Sequence, residues 1–351
     1  MSEKSFQFPI RFATFKPLCF LVNSTFVMLN LYPPANRAAS LHFVPEIDQA
    51  CQAIHDACKG IGTDELGLIA ALGTKSTDQR YLISVRYNEL FGKDLKKVLQ
   101  HETSGDFGHL LQLLACPLPE AEAVIVRNAT KGLGTKESLI YPIVMGRTNV
   151  EIHILKKTYY DMYSKDLCSV MESELSGDLK EAVLASLQAS LQDYNPAIHT
   201  PQKAEVDADV LYNAGEGHIS TKEHEFINIL VTSPPQHLRT VNAVYEKKYK
   251  HNIIEAVKKE FRGDAEDALL FLVRMVLEPL VLLSELFEGT MKGIGTDEKA
   301  LSATLVRYHL VQHDIQSVFK MLYGKHLRDR IQGEVSGDYG KLVLAVFDSP
   351  I

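Results

Sequence analysis

The chain has 351 residues, 46% of them hydrophobic, so it can bury one large core or several small ones. Its formal net charge is −7, and no run of consecutive Lys or Arg residues is longer than two. Both features argue against nucleic acid as a partner. Attraction to an anionic surface therefore needs a bridging cation. Five cysteines without CxxC spacing argue against a disulfide framework or a structural zinc site and suit a reducing compartment.

The first 45 residues carry no repeated motif. No apolar run reaches the roughly 20 residues that span a bilayer, and the longest candidate, Leu18 to Tyr32, is interrupted by polar residues. Basic residues before this run give it some likeness to a secretory signal, so secretion or cell-surface exposure stays open. The other interpretation, which we adopt, is a variable N-terminal extension that packs partly on the body.

Two short motifs recur through the rest of the chain. A glycine loop, K-G-x-G-T, begins at Lys59, Lys131 and Lys292, and an eroded copy occupies Gly217–Thr221. A second motif, E-x-x-G-D, lies 42 residues after the first loop glycine position in three copies and 41 residues after it in the fourth. Its glutamates are Glu102, Glu174, Glu260 and Glu334. Four copies at one spacing indicate four internal repeats.

The spacing of these motifs predicts the domain organisation, with a Pro-containing linker before the third repeat. The predicted segments are an extension at 1–45, a first repeat at 46–117, a second at 118–190, a linker at 191–202, a third repeat at 203–278 and a fourth at 279–351.

Between the motifs the apolar residues follow a helical period, as at Leu66, Ile69 and Leu72. Each repeat also has two aromatic residues four positions apart, which share one helix face and indicate core packing rather than a ligand site. The pairs are Tyr87/Phe91, Tyr159/Tyr163, Tyr245/Tyr249 and Phe319/Tyr323. We predict five short helices per repeat, no strand, and an all-α fold.

Taken alone, the glycine loop indicates a tight turn between two helices. Glycine ends a helix at positive φ, and the following Thr63, Thr135 or Thr296 is expected to cap the next helix. The distant glutamate adds a second meaning, because calcium accepts backbone carbonyls together with a bidentate carboxylate. Three antiparallel helices separate the loop from the glutamate, and an odd number of them brings the chain back to the same end of the repeat. We therefore expect each glutamate to lie close to the glycine loop of its own repeat.

Such a site is incomplete, since three carbonyls and one bidentate carboxylate supply about five oxygens, fewer than calcium prefers. Water or a lipid phosphate would complete it, and a membrane would then raise the apparent calcium affinity by linkage. Several weak sites on one face would add by avidity. Apolar residues at the loop tips could enter the membrane interface: Ile61, Leu133, Ile219 and Ile294.

The sequence contains none of the common motifs for other metal sites, for nucleotide binding or for catalysis that we considered. The sequence has no EF-hand loop, no phosphate loop, no G-x-S-x-G and no H-E-x-x-H, so we predict that it is not an enzyme.

The pairing of K-G-x-G-T with E-x-[ST]-G-D resembles the annexins, from about Glu46 to the C-terminus. The resemblance implies a curved disc of four five-helix repeats, with calcium loops on the convex face against phosphatidylserine-like anionic membranes. It also implies that the N-terminal extension lies on the concave face and can bind a protein partner.

The resemblance further implies a set of ligands in three repeats. The loop carbonyls and the carboxylate would come from Cys58, Gly60, Gly62 and Glu102, from Thr130, Gly132, Gly134 and Glu174, and from Met291, Gly293, Gly295 and Glu334. Weaker accessory ions would be held by Thr63 with Glu65 and by Thr296 with Glu298. The third repeat departs from the pattern at His218 and Ser220, so calcium binding there stays open.

The expected function is calcium-dependent binding to acidic phospholipid membranes, for scaffolding, membrane organisation or repair. We expect a cytoplasmic protein that becomes peripheral to the membrane when calcium rises. Two alternatives on the same fold are an ion-conducting protein and a cytoskeletal or structural interaction protein.

Overall fold

The structure is a computed structural model, and it describes residues 31–32, 43–60, 62–132, 134–215, 222–293 and 295–351. Across these residues it contains twenty α-helices and no strand, so the predicted all-α class is confirmed. Nearly all of the N-terminal extension lies outside the described residues. So do the four apolar loop-tip residues and the eroded loop of the third repeat.

Each repeat has five α-helices, as predicted. In the first they are α1 Pro45–Ala57, α2 Glu65–Leu68, α3 Thr77–Phe91, α4 Leu95–Glu102 and α5 Gly105–Leu114, and a π-helical turn at Ile69–Gly73 continues α2. In the second they are α6 Leu118–Ala129, α7 Glu137–Val144, α8 Asn149–Tyr163, α9 Leu167–Glu174 and α10 Gly177–Leu187.

The later repeats follow the same order. In the third the helices are α11 Pro201–Ala214, α12 Glu223–Thr232, α13 Pro235–Tyr249, α14 Ile253–Glu260 and α15 Gly263–Leu277. In the fourth they are α16 Pro279–Thr290, α17 Glu298–Tyr308, α18 Gln312–Tyr323, α19 Leu327–Gln332 and α20 Gly337–Phe347, with a short 3₁₀ turn at His309–Val311.

Helix ends follow local chemistry. Ser76 and Gln79 form a reciprocal capping box that starts α3, and Gly92 at φ 64° ends it. The Asp94 carboxylate then accepts from the backbone N–H of Lys97 and starts α4. Two tight corners in succession reverse the chain, which places the end of α4 back near the loop that follows α1.

The described chain divides into two compact units. One comprises Met145–Thr148 and Ser176–Leu277. In this unit α10 packs on α12 and α15, and α11 packs on α13. The last helix predicted for the second repeat therefore shares a core with the helices of the third.

The other unit comprises the described residues of Asn30–Val144, with Asn149–Leu175 and Glu278–Ile351. In it α17 packs on α5 and α6, and α20 packs on the π-helical turn. The first, second and fourth glycine loops all belong to this unit, as do their three glutamates.

The first residue of each aromatic pair belongs to the core of its unit. Ring centroids within a pair are 4.6 to 5.0 Å apart. The first member of every pair is at most 1% exposed, which fits the predicted packing role. These residues are Tyr87, Tyr159, Tyr245 and Phe319.

A buried polar cluster joins five segments of the second unit: Leu31–Tyr32, α6, α7, α8 and α17. Arg307 on α17 donates to the Glu122 carboxylate over 2.8 Å and to the Pro142 carbonyl over 2.6 Å. The hydroxyl of Tyr32 also contacts Glu122, and the backbone N–H of Leu31 donates to Glu151 over 2.7 Å. Leu31 and Tyr32 of the N-terminal extension are thus anchored on charged side chains of the body.

His309 gives the second unit an acid-sensitive point. It is 2% exposed and its Nε2 lies 3.1 Å from the Val346 carbonyl. Burial, helped by the charge of Arg80, lowers the pKa of His309 to about 4. The unfolded chain therefore takes up this proton first, near pH 6.5, and the contribution of the neutral ring is complete above that pH.

We expect stability to fall as the pH drops from 6.5 towards 4, by about 3 kcal/mol at most from this group. Urea unfolding at several pH values measures the effect, and His309→Gln, which keeps a donor for Val346, is the comparison. The difference in unfolding free energy between the two proteins should change across this window and be flat above pH 7. A pH-independent difference would refute the assignment.

Candidate functional site

Three glycine loops share one geometry. A backbone hydrogen bond closes each: Asp64 N to Ala57 O (3.0 Å), Lys136 N to Ala129 O (2.9 Å) and Asp297 N to Thr290 O (2.9 Å). Both glycines of every loop have positive φ, which a side chain would strain. The values are 105° and 87° at Gly60 and Gly62, 116° and 87° at Gly132 and Gly134, and 120° and 85° at Gly293 and Gly295.

These six glycines also face open space, since a Cβ added at any of them would meet no atom within 4 Å. Local crowding therefore does not require glycine here. The requirement is the backbone conformation, since positive φ strains any residue that has a side chain.

In the first repeat the loop meets its glutamate. The hydroxyl of Thr63 donates to the Glu102 carbonyl over 2.9 Å, which joins the loop to the end of α4. Burial, with the negative charge of Glu102, raises the pKa of the Cys58 thiol to about 11. The Glu102 side chain remains 31% exposed, and its Oε1 lies 3.0 Å from Nδ1 of His101.

In the second repeat the contact is direct. The hydroxyl of Thr135 donates to Oε2 of Glu174 over 3.0 Å, and Glu174 is exposed. The structure therefore brings loop and distant glutamate together in both repeats, as the spacing predicts.

Thr63 and Thr296 do not cap the helices that follow them, which corrects the expectation for the first and fourth repeats. The N-caps of α2 and α17 are Asp64 and Asp297, whose carboxylates accept from the N–H groups of Gly67 and Ala300, each over 2.9 Å. Aspartate one residue further along reaches the helix end better, which frees the threonine hydroxyl to bridge to the second motif.

The fourth repeat assembles differently. Thr296 Oγ1 lies 3.4 Å from the Glu334 carbonyl, and α19 ends at Gln332, two residues before the glutamate, whereas α4 and α9 end on theirs. Arg330 contacts two of the predicted ligands: its Nη2 donates to the Met291 carbonyl over 2.6 Å, and its Nη1 contacts the Glu334 carboxylate.

The third repeat lacks the common loop. Its closing hydrogen bond joins Lys222 N to Ala214 O over 2.7 Å, so the partners are eight residues apart instead of seven. A Cβ on Gly215 would come within 2.7 Å of Glu260 Cγ, so this glutamate packs against the start of the loop. The segment between the two bonded residues is therefore one residue longer than in the other repeats, in addition to the sequence differences at His218 and Ser220.

The first and second loops suit calcium. Each offers the carbonyls of an uncrowded glycine loop and one accessible carboxylate, a hard all-oxygen donor set. Across the described residues no group of three or more His, Cys, Asp or Glu side chains could hold a metal. Sites built from carbonyls and a single carboxylate would not form such a group.

Sequence reasoning missed Arg330. The signal was available, because residues four positions before each motif glutamate can be aligned: Val98, Val170, Ala256 and Arg330. Three are apolar and one is a cation.

Comparison with known proteins gives consistent results. A family model described as Annexin matches residues 49–114, 121–186, 206–272 and 284–346. Human annexin A3 is 35% identical over 305 residues, covering 87% of this chain and 93% of the relative. Dog annexin A13 is 32% identical over 309 residues, covering 88% and 97%.

Solved structures agree. An annexin A8 structure with an intact N-terminus has a TM-score of 0.80 at 34% identity and covers 89% of this chain and 97% of its own. A calcium-bound annexin (Sm)1 has a TM-score of 0.73 at 26% identity and covers 88% and 94%.

Proposed function

The chain belongs to the annexin family, and from this premise we propose that it binds anionic phospholipid membranes reversibly through calcium ions held at its glycine loops. The family is known for calcium-dependent phospholipid binding, and its members are typically non-enzymatic binding proteins. We place this chain among them.

The observation that carries the proposal is the meeting of loop and glutamate in the first two repeats. We propose that each ion there is held by three loop carbonyls and one carboxylate. The ligands are Cys58, Gly60, Gly62 and Glu102 in one repeat, and Thr130, Gly132, Gly134 and Glu174 in the other. Accessory ions at Thr63 with Glu65 and at Thr296 with Glu298 stay predictions. The set Met291, Gly293, Gly295 and Glu334, predicted for the fourth repeat, is not part of this proposal, because Arg330 contacts two of its members.

The open side of each loop supplies the membrane specificity. About five protein oxygens leave one to three calcium positions vacant, which water or a lipid phosphate can fill. A phosphate in this position binds the ion and the membrane at once, so calcium and phosphatidylserine-like lipid each raise the affinity for the other. Two such loops in one unit add by avidity.

The cellular behaviour follows from this linkage. We propose a cytoplasmic protein that moves to a membrane surface when calcium rises and that organises or repairs the membrane there. Among the described residues no helix is both long and apolar enough to cross a bilayer. A protein partner for residues 1–45 is proposed on the same family premise.

Sedimentation with vesicles tests the function. The protein should pellet with phosphatidylserine-containing vesicles in calcium and return to the supernatant when a chelator is added. Vesicles of pure phosphatidylcholine are the control for charge. Pelleting that a chelator does not change would refute calcium bridging and favour the structural alternative.

A further inference from the structure

Arg330 stands out among the residues around the four loops because it bridges two of the four ligands predicted for its repeat. Its Nη2 donates to the Met291 carbonyl over 2.6 Å, and its Nη1 contacts the Glu334 carboxylate. A third partner is Glu288, whose Oε2 lies 3.0 Å from Nε. The guanidinium is therefore held between loop and glutamate, where calcium would bridge them.

This arrangement is particular to the fourth repeat. The positions that correspond to Arg330 hold Val98, Val170 and Ala256, whose side chains have no hydrogen-bond donor. Glu288 lies three residues before Met291, and His55 and Arg127 occupy that place before Cys58 and Thr130. No other repeat can form the same set of contacts.

The two cations are mutually exclusive at this point. Calcium lies about 2.3 to 2.6 Å from its oxygen ligands. A guanidinium nitrogen lies 2.6 Å from the Met291 oxygen, and the same guanidinium contacts the Glu334 carboxylate, so it competes with an ion that would use these two ligands together. Arginine is always charged, so the two cations also repel each other.

Displacing the arginine is unfavourable. Its side chain is 18% exposed, and it has partners on both sides, Glu288 at 20% and Glu334 at 30% exposure. Partly buried charge-assisted bonds of this kind are stronger than those of exposed pairs. Calcium would have to break the bonds to both carboxylates, and Glu288 would lose its partner.

We propose that Arg330 is a built-in cation that replaces calcium in the fourth repeat. It holds the loop against Glu334 without metal, and it excludes calcium at concentrations that fill the first two loops. The inference rests on the proposed calcium function and makes it more specific. Calcium dependence comes from the first and second repeats, and the fourth loop does not bind calcium at the concentrations that fill them.

Calcium stoichiometry tests the proposal, measured on the full chain by equilibrium dialysis against calcium chloride. Glu334→Gln should leave the number of bound ions unchanged, whereas Glu102→Gln should lower it by one. Arg330→Val, which installs the residue of the first two repeats, should raise it by one. Adding Glu334→Gln to Arg330→Val should remove that extra ion.

Arg328→Val is the matched control, because it removes an arginine of the same helix whose carboxylate partner is Asp348. It should bind as many ions as the wild type. If Glu334→Gln lost an ion in the wild-type background, or if Arg330→Val gained none while remaining helical, the inference would be wrong. The Glu334→Gln arm does not depend on the arginine variant folding.

The same measurement distinguishes failure of the proposed calcium function from failure of the inference about Arg330. If Glu102→Gln and Glu174→Gln both left stoichiometry unchanged, the calcium assignment of the first two loops would fall, and the inference with it. If those variants each lost one ion and Glu334→Gln also lost one, the function would stand and only the role of Arg330 would be overturned.

Discussion

Replacing Glu102 and Glu174 together by glutamine should raise the calcium concentration needed for half-maximal vesicle binding by about a hundredfold, or abolish binding. Each substitution removes the one charged ligand of its loop and leaves neutral carbonyls, which hold calcium poorly. Because the loops act through avidity, loss of both should exceed the effect of either alone. Vesicle sedimentation across a calcium series measures the shift.

The control is a double variant of equal charge, Glu46→Gln with Glu172→Gln. Both residues are exposed. Glu46 lies on α1, the helix before the first loop, and Glu172 lies on α9, two residues before Glu174. It should bind vesicles as the wild type does, and circular dichroism should show equal helicity in all three proteins. If the control shifted as far as the Glu102/Glu174 variant, general surface charge rather than coordination would explain the effect.

Arg307→Met should destabilise the second unit by about 3 to 5 kcal/mol, the usual penalty for removing one partner of a buried ion pair. The side chains of Arg307 and Glu122 are 2% and 0% exposed. Truncation leaves the Glu122 carboxylate buried without its guanidinium and the Pro142 carbonyl without this donor. Urea unfolding followed by circular dichroism measures the change.

The matched experiment removes both charges. Arg307→Met with Glu122→Leu should recover a large part of the lost stability, because no uncompensated charge remains. A double variant whose loss equals the sum of the two single losses would show that the pair is not coupled. Calcium binding should persist in the folded fraction of each variant, since neither residue belongs to a glycine loop.

The helical class, the number of helices and the role of the aromatic pairs could be predicted from the sequence. Each depends on local chemistry: apolar period, glycines at positive φ, and partners four residues apart on one helix face. Thr63 shows where local reasoning stops. As a cap it competes with Asp64, and only the position of Glu102 across the repeat explains why the hydroxyl turns away from the helix.

The grouping of helices also required tertiary structure. The sequence assigns α10 to the second repeat, yet the helix packs on α12 and α15 of the third. The boundaries of the repeats follow from similarity between segments of the sequence, whereas the boundaries of the compact units follow from which apolar helix faces are buried together. The first therefore do not predict the second.

By itself, the sequence determined that there are four helical repeats, three of which pair an intact glycine loop with a glutamate 41 or 42 residues later, since these are properties of neighbouring residues and of regular helix lengths. Only the tertiary structure decided which loops are free to take a cation. Arg330 is four residues from Glu334 but thirty-nine from Met291, and its reach to both depends on how α19 packs beside the fourth loop. Contacts between distant segments are set by packing, and no local pattern encodes them.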